Sequence, residues 1–186
     1  MLLSALASWS LALTQVYSVE PVKAAWSGWT RTILGQDTIS QTITCNWDHL
    51  DGATGGYVEL FAGDHGAGGA YNLEIKDVTA GQVVAKEENR TPGGSHTWLK
   101  FSNIQMEPGR SFTKGKLYEF KFTRSGSDSI QYYYSQDNPY PYGSIVNPSG
   151  LGSFDLALRA YGVMDTIGAD WFGVNPFFPF EVPSFV

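Results

Sequence analysis

Large side chains alternate with small or polar ones along most of this chain, and a period of two is the spacing of β-strands. The stretch from residue 8 to residue 19 is the clearest case. It predicts one strand of roughly 40 Å. One predicted face of that strand carries Trp9, Leu11, Leu13, Gln15, Tyr17 and Val19.

Eight further segments between residues 38 and 162 show similar strand patterns. They are TISQTITCNW, GYVELFAG, AYNLEIKDV, QVVAKEE, HTWLKF, KLYEFKFT, IQYYYS and FDLALRAYG. The connections between them are rich in Gly, Asp, Asn, Ser and Pro, which are turn residues. We therefore expect an all-β protein, an antiparallel β-sandwich of jelly-roll type. Asp155 and Arg159, four residues apart, are expected on one face of the last strand.

The chain divides into three predicted parts: an N-terminal extension (1–34), a sandwich body (35–162) and a C-terminal tail (163–186). Prolines at positions 176, 179 and 183 make the tail a poor central strand, because proline lacks a backbone donor. An extended edge segment is expected instead. Its large side chains need a surface to cover them, and they are Trp171, Phe172, Phe177, Phe178, Phe180 and Phe185.

Composition and charge exclude several classes of protein. A net charge of -6 argues against nucleic-acid binding, which needs a basic footprint. No Lys or Arg precedes Lys23, so residues 1–18 lack the basic start of a secretory signal, and their apolar run is too short for a membrane span. Cys45 is the single cysteine, so no internal disulfide forms. We expect it to be a buried apolar residue.

Two groups of residues are candidate binding sites. Tyr133, Tyr140 and Tyr142 offer flat rings on which sugars stack, although core packing is the competing explanation for them. Asp48 and Asp51 lie in a turn and are calcium candidates, with a solvated turn as the alternative. No other cofactor is expected.

Asn89 begins NRT, which fits the acceptor pattern for N-glycosylation, although Pro92 follows it. The acidic residues show no paired spacing typical of an acid and a base, and no nucleophile elbow is present. We therefore expect a protein that is not an enzyme.

The motifs SQTIT, YVELFAG, LEIKDVTAGQVVA, KGKLYEFKFT, NPYPYGS and DLALRAYG occur in this order within residues 35–162. In this order they resemble secreted bacterial β-sandwich domains that occur as accessory or surface modules. The resemblance implies a jelly roll that serves in carbohydrate binding, adhesion or anchoring, with no shared catalytic residues.

The N-terminal strand resembles, in physical type only, the donor strands of pilus subunits, which complete the sheet of a neighbouring copy. We therefore expect a structural subunit of an extracellular filament or surface appendage that assembles head to tail with other copies of itself. Trp9, Leu11, Leu13, Tyr17 and Val19, together with the aromatic residues of the tail, would form the interface. The alternative is a carbohydrate-binding or adhesive module that binds polysaccharide.

Overall fold

A computed structural model describes residues 13–18, 29–33, 38–63, 69–91, 97–124, 131–135, 140–147, 149, 152 and 154–164. These ranges contain a short 3-10 turn, Gly52–Thr54, and no helix long and apolar enough to cross a membrane. Their strands are β1 (Leu13–Ser18), β2 (Trp29–Ile33), β3 (Thr38–Thr44), β4 (Tyr57–Gly63), β5 (Tyr71–Asp77), β6 (Gln82–Arg90), β7 (Thr97–Phe101), β8 (Gln105–Met106), β9 (Leu117–Arg124), β10 (Gln131–Ser135), β11 (Ile145–Asn147), β12 (Asp155–Leu156) and β13 (Leu158–Val163).

The strands form two antiparallel sheets. Sheet 1 has the order β1-β13-β4-β10-β12, with β7 paired to β4 and β2 paired to β10. Sheet 2 has the order β11-β3-β9-β5-β6-β8. The predicted all-β antiparallel sandwich is confirmed, and each of the eight segments predicted in the body contains a strand.

The core lies between the sheets, and the alternation that builds it is clearest in β5 and β9. In β9, Tyr118, Phe120 and Phe122 are buried and the residues between them are partly exposed. Each such side chain contributes about 1.5–3 kcal/mol when fully buried. In the first body segment, Ile39, Ile43, Cys45 and Trp47 are all buried.

Two strands of the predicted N-terminal extension belong to the sandwich itself. The first, β1, pairs with β13, and the second, β2, pairs with β10. The described part of the extension is therefore integrated into sheet 1.

The prediction that Leu13 and Tyr17 lie on one face of the strand is wrong. The register of β1 against β13 shifts between Gln15 and Tyr17, and such a bulge adds one residue to one strand. Alternation is reversed beyond the bulge. Tyr17 is consequently 3% exposed, whereas Leu13 is 45% exposed.

The last predicted strand is interrupted at Ala157, which separates β12 from β13. The backbone N–H of Ala157 donates to Tyr133 O (2.8 Å), and its carbonyl accepts from the Phe61 N–H (2.9 Å). This interruption moves Asp155 into the interior, whereas Arg159 pairs with Glu59 on the opposite, outer face. The expectation that Asp155 and Arg159 share a face is therefore wrong.

Candidate functional site

Among the described strands, β1 lies at one edge of sheet 1 and pairs only with β13. The backbone of β1 is also contacted from the loop after β3, where Asn46 Nδ2 donates to Val16 O at 3.2 Å. An edge strand of this kind is held by far fewer main-chain hydrogen bonds than a central strand. Its side chains must therefore provide much of its attachment.

Two side chains of β1 are buried, Val16 and Tyr17, and Tyr17 makes both polar and aromatic contacts. Its hydroxyl accepts a hydrogen bond from Gln41 Nε2 (2.9 Å), and the same nitrogen donates to Asp155 Oδ1 (2.5 Å). The Tyr17 ring packs edge-on against Tyr140, with centroids 4.6 Å apart. We call Tyr17, Gln41, Asp155 and Tyr140 the Tyr17 cluster. The surface that receives β1 consists of the edge of β13 together with Gln41, Asp155 and Tyr140, and we call it the β1 site.

Asp155 is the ionisable group at the centre of the Tyr17 cluster and has 0% exposed area. Burial raises its pKa to about 6, although hydrogen bonds from Tyr140 N (2.8 Å) and Gln41 oppose the shift. Burial, followed by the charge of Asp155, raises the pKa of Tyr17 well above its usual range. The cluster therefore contains a carboxyl group that titrates near neutral pH and a tyrosine that stays protonated.

Gln41 connects the two sheets in this region. It lies on β3 of sheet 2, and its Oε1 accepts from the backbone N–H of Leu156 in sheet 1. Both ends of the amide are thus bonded, as a buried amide requires. Sequence reasoning missed Gln41, yet a signal was present, because Gln41 falls between Ile39 and Ile43 on the core face of an alternating strand.

The three tyrosines predicted to bind glycans occupy different environments. Tyr133 is only 4% exposed, with its ring 5.0 Å from Phe61, so it cannot present a free ring to a sugar. Tyr140 is half-buried in the Tyr17 cluster; its hydroxyl donates to Thr44 O (3.3 Å), and burial raises its pKa to about 12. Tyr142 is 46% exposed. Glycan stacking on this loop stays a prediction for Tyr142.

The calcium candidates Asp48 and Asp51 both have protein partners. Asp48 forms an ion pair with Lys114 Nζ at 2.8 Å. Asp51 caps the 3-10 turn and accepts hydrogen bonds from Thr54 N and Oγ1. The described ranges contain no group of three or more His, Cys, Asp or Glu side chains that could hold a metal ion.

Asn89 is exposed near the end of β6 and has a φ of 63°, a conformation that asparagine tolerates better than most residues. Glycosylation there stays a prediction. Cys45 is buried as expected; its Sγ donates to Trp47 O (3.2 Å), and burial raises the pKa of the thiol to about 11.

Several predicted interface residues lie outside the described residues. They are Trp9, Leu11, Val19, Trp171, Phe172, Phe177, Phe178, Phe180 and Phe185. Of the predicted interface, the structure therefore describes Leu13 and Tyr17. Tyr17 is buried against Gln41 and Tyr140, whereas Leu13 is exposed.

No family model matches this chain, and no curated protein matches it. Among solved structures, the chain is similar to the arabinose-bound α-L-arabinofuranosidase MgGH51, at 13% identity and a TM-score of 0.30. The match covers 77% of this chain and 25% of the enzyme chain, so this chain spans about a quarter of that protein. A TM-score this low carries no argument for fold or activity.

Proposed function

We propose that this protein is a structural subunit of an extracellular filament or surface appendage, in which β1 of one copy occupies the β1 site of the next. The observation that carries the proposal is the attachment of β1, which among the described strands pairs only with β13 and whose buried side chains are Val16 and Tyr17. Main-chain pairing combined with side chains in matching pockets is how donated strands bind. A β1 strand from a second copy can make the same contacts.

Exchange between copies competes with pairing inside one copy. The contacts are the same in both cases, so the balance depends on concentration and on the connection to the body. Ten residues, 19–28, separate β1 from β2 and reach at most about 33–36 Å. A short tether gives an effective concentration of order 1 mM, so at about 10 µM protein the internal pairing is favoured roughly 100-fold. Filaments are therefore expected at high local concentration, as at a secreting surface.

A disulfide trap distinguishes the two pairings. Gln15 and Tyr161 are directly opposed in the β1–β13 register, and opposed residues have Cβ atoms about 4.5–5.5 Å apart. We expect the double variant Gln15→Cys/Tyr161→Cys, oxidised at about 1 mM, to give a ladder of covalent oligomers on a non-reducing gel. Cys45 can stay in place, because a buried thiol with a raised pKa reacts slowly.

The single variant Gln15→Cys is the matched control, because one surface cysteine per chain yields at most a dimer. A ladder that the double variant gives and the single variant does not give supports head-to-tail exchange. If the largest product of the double variant is a dimer, the two copies exchange their strands reciprocally. If the double variant gives only internally linked monomers up to about 1 mM, the proposal is wrong.

A further inference from the structure

The outer face of sheet 1, which points away from the core, carries large side chains in three rows across β7, β4 and β13. Directly opposed residues on neighbouring strands share a face, so the strand register defines the rows. We call them together the outer aromatic face. Its rows are Tyr57 with Tyr161, then Lys100 with Glu59 and Arg159, then Trp98 with Phe61.

Each cation of the middle row lies over a ring of a different aromatic row. Lys100 Nζ is 3.6 Å from the centroid of the Tyr57 ring, and that ring stacks on Tyr161 at 4.4 Å. Arg159 Cζ is 3.8 Å from the centroid of the Trp98 ring. Cation–π contacts at exposed sites contribute only about 0.5–1 kcal/mol. A ligand carboxylate can therefore attract Lys100, which is exposed, without a large loss.

The charges of this face differ in sign from those of the whole chain. Among the described side chains of this face, two cations and one anion give a charge of +1, whereas the chain has a net charge of -6. Lys100 is exposed, and the aromatic side chains around it are partly exposed. Glu59 lies between the cations and contacts Arg159 at 3.4 Å, a long ion pair.

We infer that the outer aromatic face binds an acidic polysaccharide, with sugar rings packed on the aromatic rows and ligand carboxylates paired to Lys100 and Arg159. The two cations lie on strands separated by β4, so their Cα atoms are on the order of 10 Å apart. Two separated cations suit a polymer with repeated carboxylates better than a single small acid. The inference does not depend on the proposed assembly.

Hyaluronate is the probe, and neutral dextran is its matched uncharged control. We expect the full-length protein to bind hyaluronate at low salt and to bind dextran much more weakly. Lys100→Gln should weaken hyaluronate binding about 10-fold, because a charge-assisted contact is lost. Glu59→Gln should tighten binding about 3- to 5-fold, because a repulsive charge is removed. Titration calorimetry on each variant measures these changes.

Lys86→Gln is the matched control for Lys100→Gln, since Lys86 is an exposed lysine on sheet 2 that pairs with Glu107. It should leave hyaluronate binding unchanged. Tightening by Glu59→Gln is the decisive result, because a purely structural role for the face does not produce it. Absent binding of the wild type, equal binding of dextran, or equal effects of Lys86→Gln and Lys100→Gln would overturn the inference.

Discussion

Two buried aromatic residues, Trp47 and Tyr17, are held in different ways. Trp47 lies in the apolar core, where Phe112 and Phe120 pack edge-on against it with centroids 5.7 and 6.0 Å away. Tyr17 lies on an edge strand, and its hydroxyl and ring contact a buried amide and a second tyrosine. One residue is held by packing alone, and the other by packing and a polar network.

This difference separates two kinds of attachment in one sandwich. Apolar packing depends little on pH and supports both sheets, whereas a network that contains Asp155 responds to protonation. An edge strand also opens more readily than the core around it. We therefore expect the apolar core around Trp47 to determine the free energy of global unfolding. The Tyr17 cluster should determine how firmly β1 is attached to the sheet.

The largest expected effect is that of Trp47→Ala. Truncating a fully buried tryptophan removes packing and leaves a cavity, at a cost of about 3–5 kcal/mol. The melting temperature should fall by roughly 6–20 °C for a chain of this length. Thermal unfolding, monitored by circular dichroism, measures this change in melting temperature. A smaller loss than that caused by Tyr17→Phe would contradict the comparison.

The second effect is a pH dependence that originates at Asp155. Its pKa is about 6 in the folded state, against an ordinary value of 3.8, so the folded protein binds this proton more tightly. Stability should therefore fall as pH rises from about 4 to above 6, by about 3 kcal/mol from this group. Urea unfolding at several pH values measures the slope.

Asp155→Asn is the matched variant for this slope. Asparagine keeps one acceptor oxygen where the carboxylate offers two, so the variant loses one hydrogen bond at every pH but has no charge to bury. Its stability relative to the wild type should rise with pH. Burial also raises the pKa of Glu87, but Glu87 is present in both proteins and cancels in the difference. If the stability of the wild type and that of Asp155→Asn changed with pH in parallel, Asp155 would not be the source of the pH dependence.

The fold was predictable because strands such as β5 and β9 alternate strictly between buried and partly exposed residues. Leu73 and Ile75 in β5 illustrate the rule, since each core side chain is followed by one facing outward. The sequence pattern failed at two places where a single residue disturbs the period, namely the bulge in β1 and Ala157. A bulge arises from pairing with another strand, so the pattern of one strand does not contain it.

The Tyr17 cluster was only partly predictable. Tyr17 was identified by its position in the N-terminal pattern, and Gln41 left a signal as an amide on a core face. Asp155 was assigned to the wrong face, because the turn of the chain at Ala157 depends on contacts with Phe61 and Tyr133. These residues are distant in sequence and meet only when both sheets have formed.

The smallest expected effect separates Tyr17 from Leu13, which the sequence placed on one face. Tyr17→Phe keeps the ring but removes the hydroxyl that accepts from Gln41, so it should cost about 1–2 kcal/mol. Amide hydrogen exchange in β1 should accelerate about 5- to 30-fold, while exchange in β9 stays unchanged if β1 opens locally. Leu13→Ser is the control. Because Leu13 is exposed, that substitution should change stability by less than about 0.5 kcal/mol. Equal acceleration by both variants would mean that backbone pairing with β13, and not the hydroxyl of Tyr17, holds β1 in place.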